Sequence, residues 1–459
     1  MGYDYDVVVL GGGTSGLTAA SIAANLGAKT ALIESDRLGG DCTWTGGVPT
    51  RALAKAASVA YSLKKAGRFG MSVSSPEIAY DRVLAYIHRA REAVYRESDS
   101  PEIVRSNGIH LFEGVGSFLD PHTIEVDGTK PRQLRGRNIF IATGSHPVMP
   151  RIHGLDAGSC QTAKTIFDVP AFPHQLLIIG AGRLGCELGQ AFARLGSSVT
   201  IIDEAPSILA EDDEELSSML QDCLEDDGVR FVLHARITKV VSTGSAVIAE
   251  IEQGGHIRSL PADQILVAVG SEPHLNGLKL DAAGVDHDPQ GIITDDRCRT
   301  NIKHIFAIGD VMAGGRSHLA EHSARVAVAN ALRRPPARID GQHIPWCTFT
   351  SPELAHVGTG EFELKETGTG YDVHRLPHPK THRVGIDGAV AGITKVFVGN
   401  RTGKVLGVTI LGPRASDQIS QFALAMRNRM TLEKMAEVIP YFESTMRLAS
   451  STPAEPVNL

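Results

Sequence analysis

The sequence predicts an α/β fold in which one strand–turn–helix–strand unit occurs twice, followed by a C-terminal α+β region. Three observations predict it. A Gly-rich turn follows an apolar run at residues 11–16 and again at 180–185. Glu34 follows Gly16 at the same 18-residue distance as Asp203 follows Gly185. Beyond about residue 338 the pattern changes to alternating strands, Thr394–Val398 and Val405–Leu411, with a periodic apolar helix near Ile419–Arg429.

In the first unit Val7–Leu10 reads as a buried strand and Leu17–Leu26 as an Ala-rich helix. Gly27 stops that helix, and Lys29–Ile33 is a second strand that ends at Glu34. Between strand and helix stand Gly11, Gly13 and Gly16 in the spacing G-x-G-x-x-G. The first glycine permits a tight turn. The second lets a pyrophosphate approach the backbone at the positive helix N-terminus, and the third lets the helix pack closely. Glu34 is placed to hydrogen-bond ribose hydroxyls. A single such motif is a weak signal, but here strand, loop, helix and terminal acid are all present.

The second unit repeats each part. Leu176–Ile179 is the strand, and Gly180, Gly182 and Gly185 form the loop. The helix stops at Gly196, and Ser198–Ile202 ends at Asp203. The two units predict two Rossmann-like dinucleotide-binding domains. After Asp203-Glu204 no Arg or Lys occurs until Arg230, so a ribose 2′-phosphate would meet carboxylates there. That favours NADH over NADPH at this site.

The composition bounds the partners. The formal net charge is −7, which gives no electrostatic reason to seek nucleic acid or an anionic membrane. No stretch has the length of an apolar membrane span, and no secretory signal is expected. The six cysteines (Cys42, Cys160, Cys186, Cys223, Cys298 and Cys347) are too sparse for a disulfide scaffold. No Cys/His cluster has zinc spacing, so no metal site is expected. The expectation is a reduced, cytoplasmic protein.

Further strands end in Gly turns at Ile139–Gly144, which includes Thr143, and at Leu266–Gly270; Ile305–Gly309 runs into Asp310. With the two Gly loops and the run Phe349–Gly358, these features resemble the class I pyridine nucleotide-disulfide oxidoreductases. Dihydrolipoamide dehydrogenase and mercuric reductase belong to that family. The resemblance covers essentially the whole chain. It implies an FAD domain at 1–150 and 269–337, a NAD domain at 151–268, and a dimerisation domain at 338–459 that forms a homodimer. It implies FAD held by Gly11, Gly13, Gly16, Glu34, Gly40, Arg51, Gly114, Thr143, Gly144, Gly309 and Asp310. NAD would be held by Gly180, Gly182, Gly185, Asp203 and Gly270.

The redox motif of the family departs from its pattern here. The family carries two cysteines separated by four residues. Cys42 fits the first position, and Gly47 occupies the second, flavin-proximal one. The family's C-terminal His and Glu correspond to Tyr441 and Met446, and no His follows His382. The family's Lys near the flavin and its Glu partner correspond to Arg51 and Glu187, an expected charge pair. Cys42, Arg51 and Glu187 are the candidate catalytic residues. Arg183, inside the second Gly loop, could clamp an anion or face solvent.

These departures predict an NADH oxidoreductase that passes electrons directly from reduced flavin to a small acceptor such as a quinone. Gly47 leaves room for such a ring. A soluble pyridine nucleotide transhydrogenase and a metal-ion reductase are the alternative enzymes. A flavin-binding regulatory protein without turnover is a different class, disfavoured by the complete second nucleotide motif.

Overall fold

The computed structural model describes residues 2–73, 77–128, 130–156, 158–242, 246–314, 319–332, 335–378, 392–437 and 455–456. Tyr441 and Met446 lie outside the described residues.

Apolar runs buried on both faces are what a parallel sheet requires. Tyr5–Leu10 lies between Thr30–Glu34 and Arg132–Ile141, parallel to both. Ile109–Glu113 extends the sheet beyond Thr30–Glu34, and Ile305–Ala307 adds to it beside Arg132–Ile141. The late return of the chain at Ile305 therefore completes the first sheet. An antiparallel meander of Val115–Asp120 and Thr123–Asp127 pairs with the beginning of Arg132–Ile141.

The second unit forms its own parallel sheet in the order Val229–Val232, Ser198–Ile202, Gln175–Ile179, Gln264–Val267. A three-stranded antiparallel sheet, Ala235–Ser242, Val247–Gln253 and His256–Ala262, packs beside it. A two-stranded ribbon of Ser145–Pro147 with Ser271–Pro273 joins the two units.

Both motif helices begin before their first large apolar residue, because the loop backbone itself opens the helix. They span Thr14–Asn25 and Arg183–Leu195. Their N-caps, Gly13 and Gly182, provide no side-chain cap, and neither first turn holds an acidic residue. The N-terminal N–H groups stay available to an anion.

The C-terminal region is a mixed layer of strands and helices. Trp346–Thr348, Glu353–Gly358, Val405–Gly412, Ile393–Gly399, Tyr371–Pro377 and Glu455–Pro456 make one antiparallel sheet. The helix expected near Ile419–Arg429 runs instead over Ala415–Arg427. It stops early because Arg429 turns to a positive φ of 54°. Strand Ile393–Gly399 is buried on both faces, so its Lys395 is only 3% exposed. Asp213, Glu215 and Glu361 surround that ammonium at 2.9, 3.1 and 2.6 Å. The cluster joins the C-terminal sheet to the helix Glu214–Asp226 of the second unit.

His378 is buried in the C-terminal region, and its Nε2 lies 2.9 Å from Thr394 Oγ1. Burial lowers its pKa from 6.5 to about 4. Between those values the unfolded chain takes up a proton that the folded chain refuses. Stability therefore falls as pH drops below 6.5, by about 2 kcal/mol at pH 5 from this group alone. Thermal melts at pH 7.5 and 5 should show that loss, and His378→Gln should flatten the slope. An unchanged slope in the variant would assign the acid sensitivity to other groups.

Candidate functional site

Each Gly loop is closed by contacts that exclude a side chain. A Cβ on Gly16 would collide with the carbonyl oxygen of Gly11, and one on Gly185 with that of Gly180. Neither glycine lines a cleft. Their task is to bring the first helical turn onto the loop, leaving Gly13 and Gly182 open to a ligand.

The strand-end acids then bind the loops. Glu34 Oε2 accepts from Gly12 N at 2.5 Å, while its Oε1 accepts from Ser35 N and Asp36 N at 2.8 Å. Asp203 Oδ2 accepts from Ala181 N at 2.6 Å, and Oδ1 from Ala205 N at 2.8 Å. The two acids are held in the same way, each with acceptor capacity left for a ribose hydroxyl.

Two clefts result. The first encloses about 2140 Å³, beyond the ~300–1,000 Å³ of an ordinary small-ligand pocket. Gly11, Gly13, Glu34, Gly40, Cys42, Arg51, Gly114, Thr143, Gly144, Glu187, Gly270 and Asp310 line it. The second encloses about 1140 Å³ and is lined by Gly180, Gly182, Asp203, Gly270 and Asp310 among others. Both are walled by Thr45, Gly46, Arg183 and Leu184, so they meet there. Gly309 stands behind the wall: its N–H donates to Ser323 Oγ at 3.0 Å, and a Cβ would lie 2.7 Å from Ser15 Oγ. Gly40 packs so closely on the first loop that a Cβ would come within 2.8 Å of Gly13 Cα.

A large first cleft lined by a strand-end carboxylate and by the loop at an uncapped helix N-terminus fits FAD. The second cleft repeats those elements and fits a nicotinamide dinucleotide. Bound there, the pair supplies hydride and electron-transfer chemistry.

The redox segment is split. Gly40–Trp44 and Gly47–Lys64 are separate helices, with Thr45-Gly46 between them. Cys42 is exposed, and all six cysteines are free. A Cβ on Gly47 would stand 3.0 Å from Cys42 Sγ. Cys347 also lines the first cleft, and burial with Glu353 and Glu187 nearby pushes its thiol pKa far up.

Arg51 and Glu187 come close without joining. Among the described residues they form no direct ion pair, which corrects the expected charge pair. The Arg51 guanidinium lies over the Phe349 ring, 3.0 Å from its centroid. Phe349 N donates to Glu187 Oε1 at 2.8 Å. Burial raises the Glu187 pKa, opposed by that N–H and by the charges of Arg51 and Arg183. Phe349, a residue of the C-terminal region, thus stands where a direct pair was expected.

Arg183 is anchored on its own side of the junction. Its Nη2 lies 3.9 Å from Asp212 Oδ1, and its guanidinium is 5.5 Å from the Trp346 ring. Trp346 Nε1 donates to the same Asp212 oxygen at 2.7 Å.

Sequence reasoning missed several lining residues, because only folding brings them in. Lys164 reaches both clefts and lies 3.9 Å from Asp41. Thr50 and Arg91 line the first cleft, and both are buried. Thr50 Oγ1 and the Nε and Nη2 of Arg91 have no hydrogen-bond partner among the described residues. Arg236 lines the second cleft beside Asp203 and Glu204, so a cation does reach that wall despite its absence from the local sequence.

Residues 5–331 match the family model described as pyridine nucleotide-disulphide oxidoreductase. Residues 344–445 match the model of that family's dimerisation domain. The chain is 31% identical to a dihydrolipoyl dehydrogenase of Bacillus subtilis, covering 94% of each. It is 31% identical to a mercuric reductase of Bacillus cereus, over 96% of this chain and 69% of that one. Among solved structures, LpdA from Mycobacterium tuberculosis superposes with a TM-score of 0.89 at 24% identity, covering 97% of both chains. The flavoprotein disulfide reductase RclA from Escherichia coli superposes with a TM-score of 0.86, also at 24% identity, covering 98% of this chain and 99% of that one. Members of this family are flavoprotein oxidoreductases that bind FAD and NAD(P)H. With its two nucleotide units and its dimerisation domain, the chain belongs to the pyridine nucleotide-disulphide oxidoreductase family.

Proposed function

We propose that this flavoprotein oxidises NADH and passes two electrons from flavin directly to a quinone-class acceptor, without a disulfide relay. The overall reaction is NADH + H⁺ + quinone → NAD⁺ + hydroquinone. The observation that carries the proposal is the pair Cys42 and Gly47. Gly47 has no sulfur to complete the family's dithiol, and no other cysteine is bonded to Cys42.

The residues divide the work by position. Glu34 and the Gly11–Gly16 loop bind the first dinucleotide, and Asp203 and the Gly180–Gly185 loop bind the second. Arg51 lines the first cleft with a fixed positive charge that would favour anionic character in a ring bound beside it. Phe349 lies under that guanidinium and donates its N–H to Glu187, so the two charges face each other without a direct ion pair. Gly47 and Cys42 line the first cleft side by side, with a single sulfur between them. The C-terminal domain pairs two chains into a homodimer.

A transhydrogenase needs NADPH to enter readily. Asp203 and Glu204 oppose a 2′-phosphate, which places that reading second.

Anaerobic dithionite titration should reduce the enzyme with two electrons per FAD and show no thiolate charge-transfer band. Cys42→Ser should retain most NADH–quinone turnover. Uptake of four electrons, or loss of nearly all turnover in Cys42→Ser, would overturn the direct route.

Gly47→Cys tests whether the dithiol geometry persists. A new Sγ on a Cβ 3.0 Å from Cys42 Sγ can form a bond of ~2.05 Å without backbone movement. Thiol titration of the oxidised, denatured variant should find two fewer thiols than its total cysteine count. Finding every thiol free would show that the helices have moved apart.

A further inference from the structure

The second cleft carries a cation that the chain keeps occupied. Strand Ala235–Ser242 begins directly on the segment that follows the ribose-end acid. Ala235 N donates to the Asp203 carbonyl at 3.0 Å, and His234 N to the Ala205 carbonyl at 3.0 Å. The next residue, Arg236, lines the cleft with Asp203 and Glu204. Arg236 is thus a cation on the same wall as the two acids that a 2′-phosphate would meet, close enough to Glu204 to feel its charge.

That guanidinium is engaged. Arg236 Nε and Nη2 both donate to Glu252 Oε2, at 3.0 and 2.8 Å. The contact is built into the sheet, because Arg236 and Glu252 are register partners across the two strands. Glu252, and Glu204 more weakly, hold the charge of Arg236. Arg236 is 61% exposed and Glu252 32%, so the bond is a surface one that a single substitution can release.

We infer that Glu252 is a second determinant of nucleotide choice, a positioning residue that acts by keeping Arg236 from a 2′-phosphate. The inference rests on the reading of the second cleft as an NADH site. A free guanidinium would fork onto a phosphate dianion. With Glu252 present, the dianion must displace a carboxylate from Arg236 and sit among Asp203, Glu204 and Glu252. An NADH-bound ribose makes no such demand. Asp203 therefore recognises the correct hydroxyl, while Glu252 disables the residue that would welcome the wrong phosphate. Selection against the competitor is a separate device from selection for the substrate.

The test is a double-mutant cycle in the FAD-loaded enzyme. Glu252→Gln, Arg236→Met and the double variant are compared with the parent. The measurements are kcat/KM for NADH and NADPH, and calorimetric affinity for 2′-phospho-ADP-ribose against ADP-ribose. Glu252→Gln should raise kcat/KM for NADPH about tenfold, through KM, and leave NADH within twofold. Affinity for 2′-phospho-ADP-ribose should rise in parallel and fall again in high salt. Arg236→Met should erase the gain in the Glu252→Gln background. No gain, or an equal gain with Arg236 replaced, would overturn the inference. A parent enzyme that prefers NADPH would instead overturn the NADH reading, whatever the cycle gives.

Discussion

Both nucleotide sites depend on a carboxylate at the end of a strand accepting a hydrogen bond from a Gly-loop N–H. Glu34 reaches Gly12 N, and Asp203 reaches Ala181 N. This bond fixes the distance between the first two strands of each unit and the loop that caps them. The loop can hold that position only because Gly16 and Gly185 lack side chains; a Cβ would strike the opposite carbonyl. Once the loop is fixed, the helix N-terminus points at the cleft without a side-chain cap. One contact thus sets the carboxylate, the N–H groups and the helix dipole together. Its repetition in the second unit gives two clefts of the same plan that meet at Thr45, Gly46, Arg183 and Leu184.

Much of this was legible because each part is local. Strand, loop, helix and terminal acid lie within one short segment, and hydrophobic period with glycine spacing reveals them. Across segments the sequence says far less. Family positions pair Arg51 with Glu187, yet Phe349 arrives from the third domain and contacts both. Arg236 is distant from Asp203 in sequence and adjacent through two strand-start hydrogen bonds. Lys164, Thr50 and Arg91 carry no motif; only helix packing turns them to the cleft. The helix at Ala415–Arg427 was displaced from its expected span because apolar period does not report a positive φ at Arg429.

The segment between Cys42 and Gly47 shows what has changed and what has not. Two helices still bring the second position to 3.0 Å from the first sulfur. That geometry is set by the helix at Gly47–Lys64 packing on its neighbours, where Leu53, Ala57 and Ala60 share a core with Leu84 and Ile87. The backbone frame is held by this packing and needs no second sulfur. Gly47 places no side chain on this stretch of the cleft wall, yet the frame around Cys42 stays.

The junction of the clefts is assembled from all three domains, which constrains how it can work. Arg51 comes from the first unit, Glu187 and Arg183 from the second, and Phe349 and Trp346 from the third. The third domain is held to the second by buried charge. Lys395 meets Asp213, Glu215 and Glu361, and Arg194 donates to Asp227 and to the Ser351 carbonyl. Breaking one member of such a cluster strands a buried charge, so the docking resists small shifts. Ser351 is two residues from Phe349, whose N–H binds Glu187. The interdomain anchor and the contact at the junction are therefore almost the same piece of chain. Disturbance of Arg194 or Asp227 would reach the junction through Ser351 and Phe349, even though neither charged group lines a cleft.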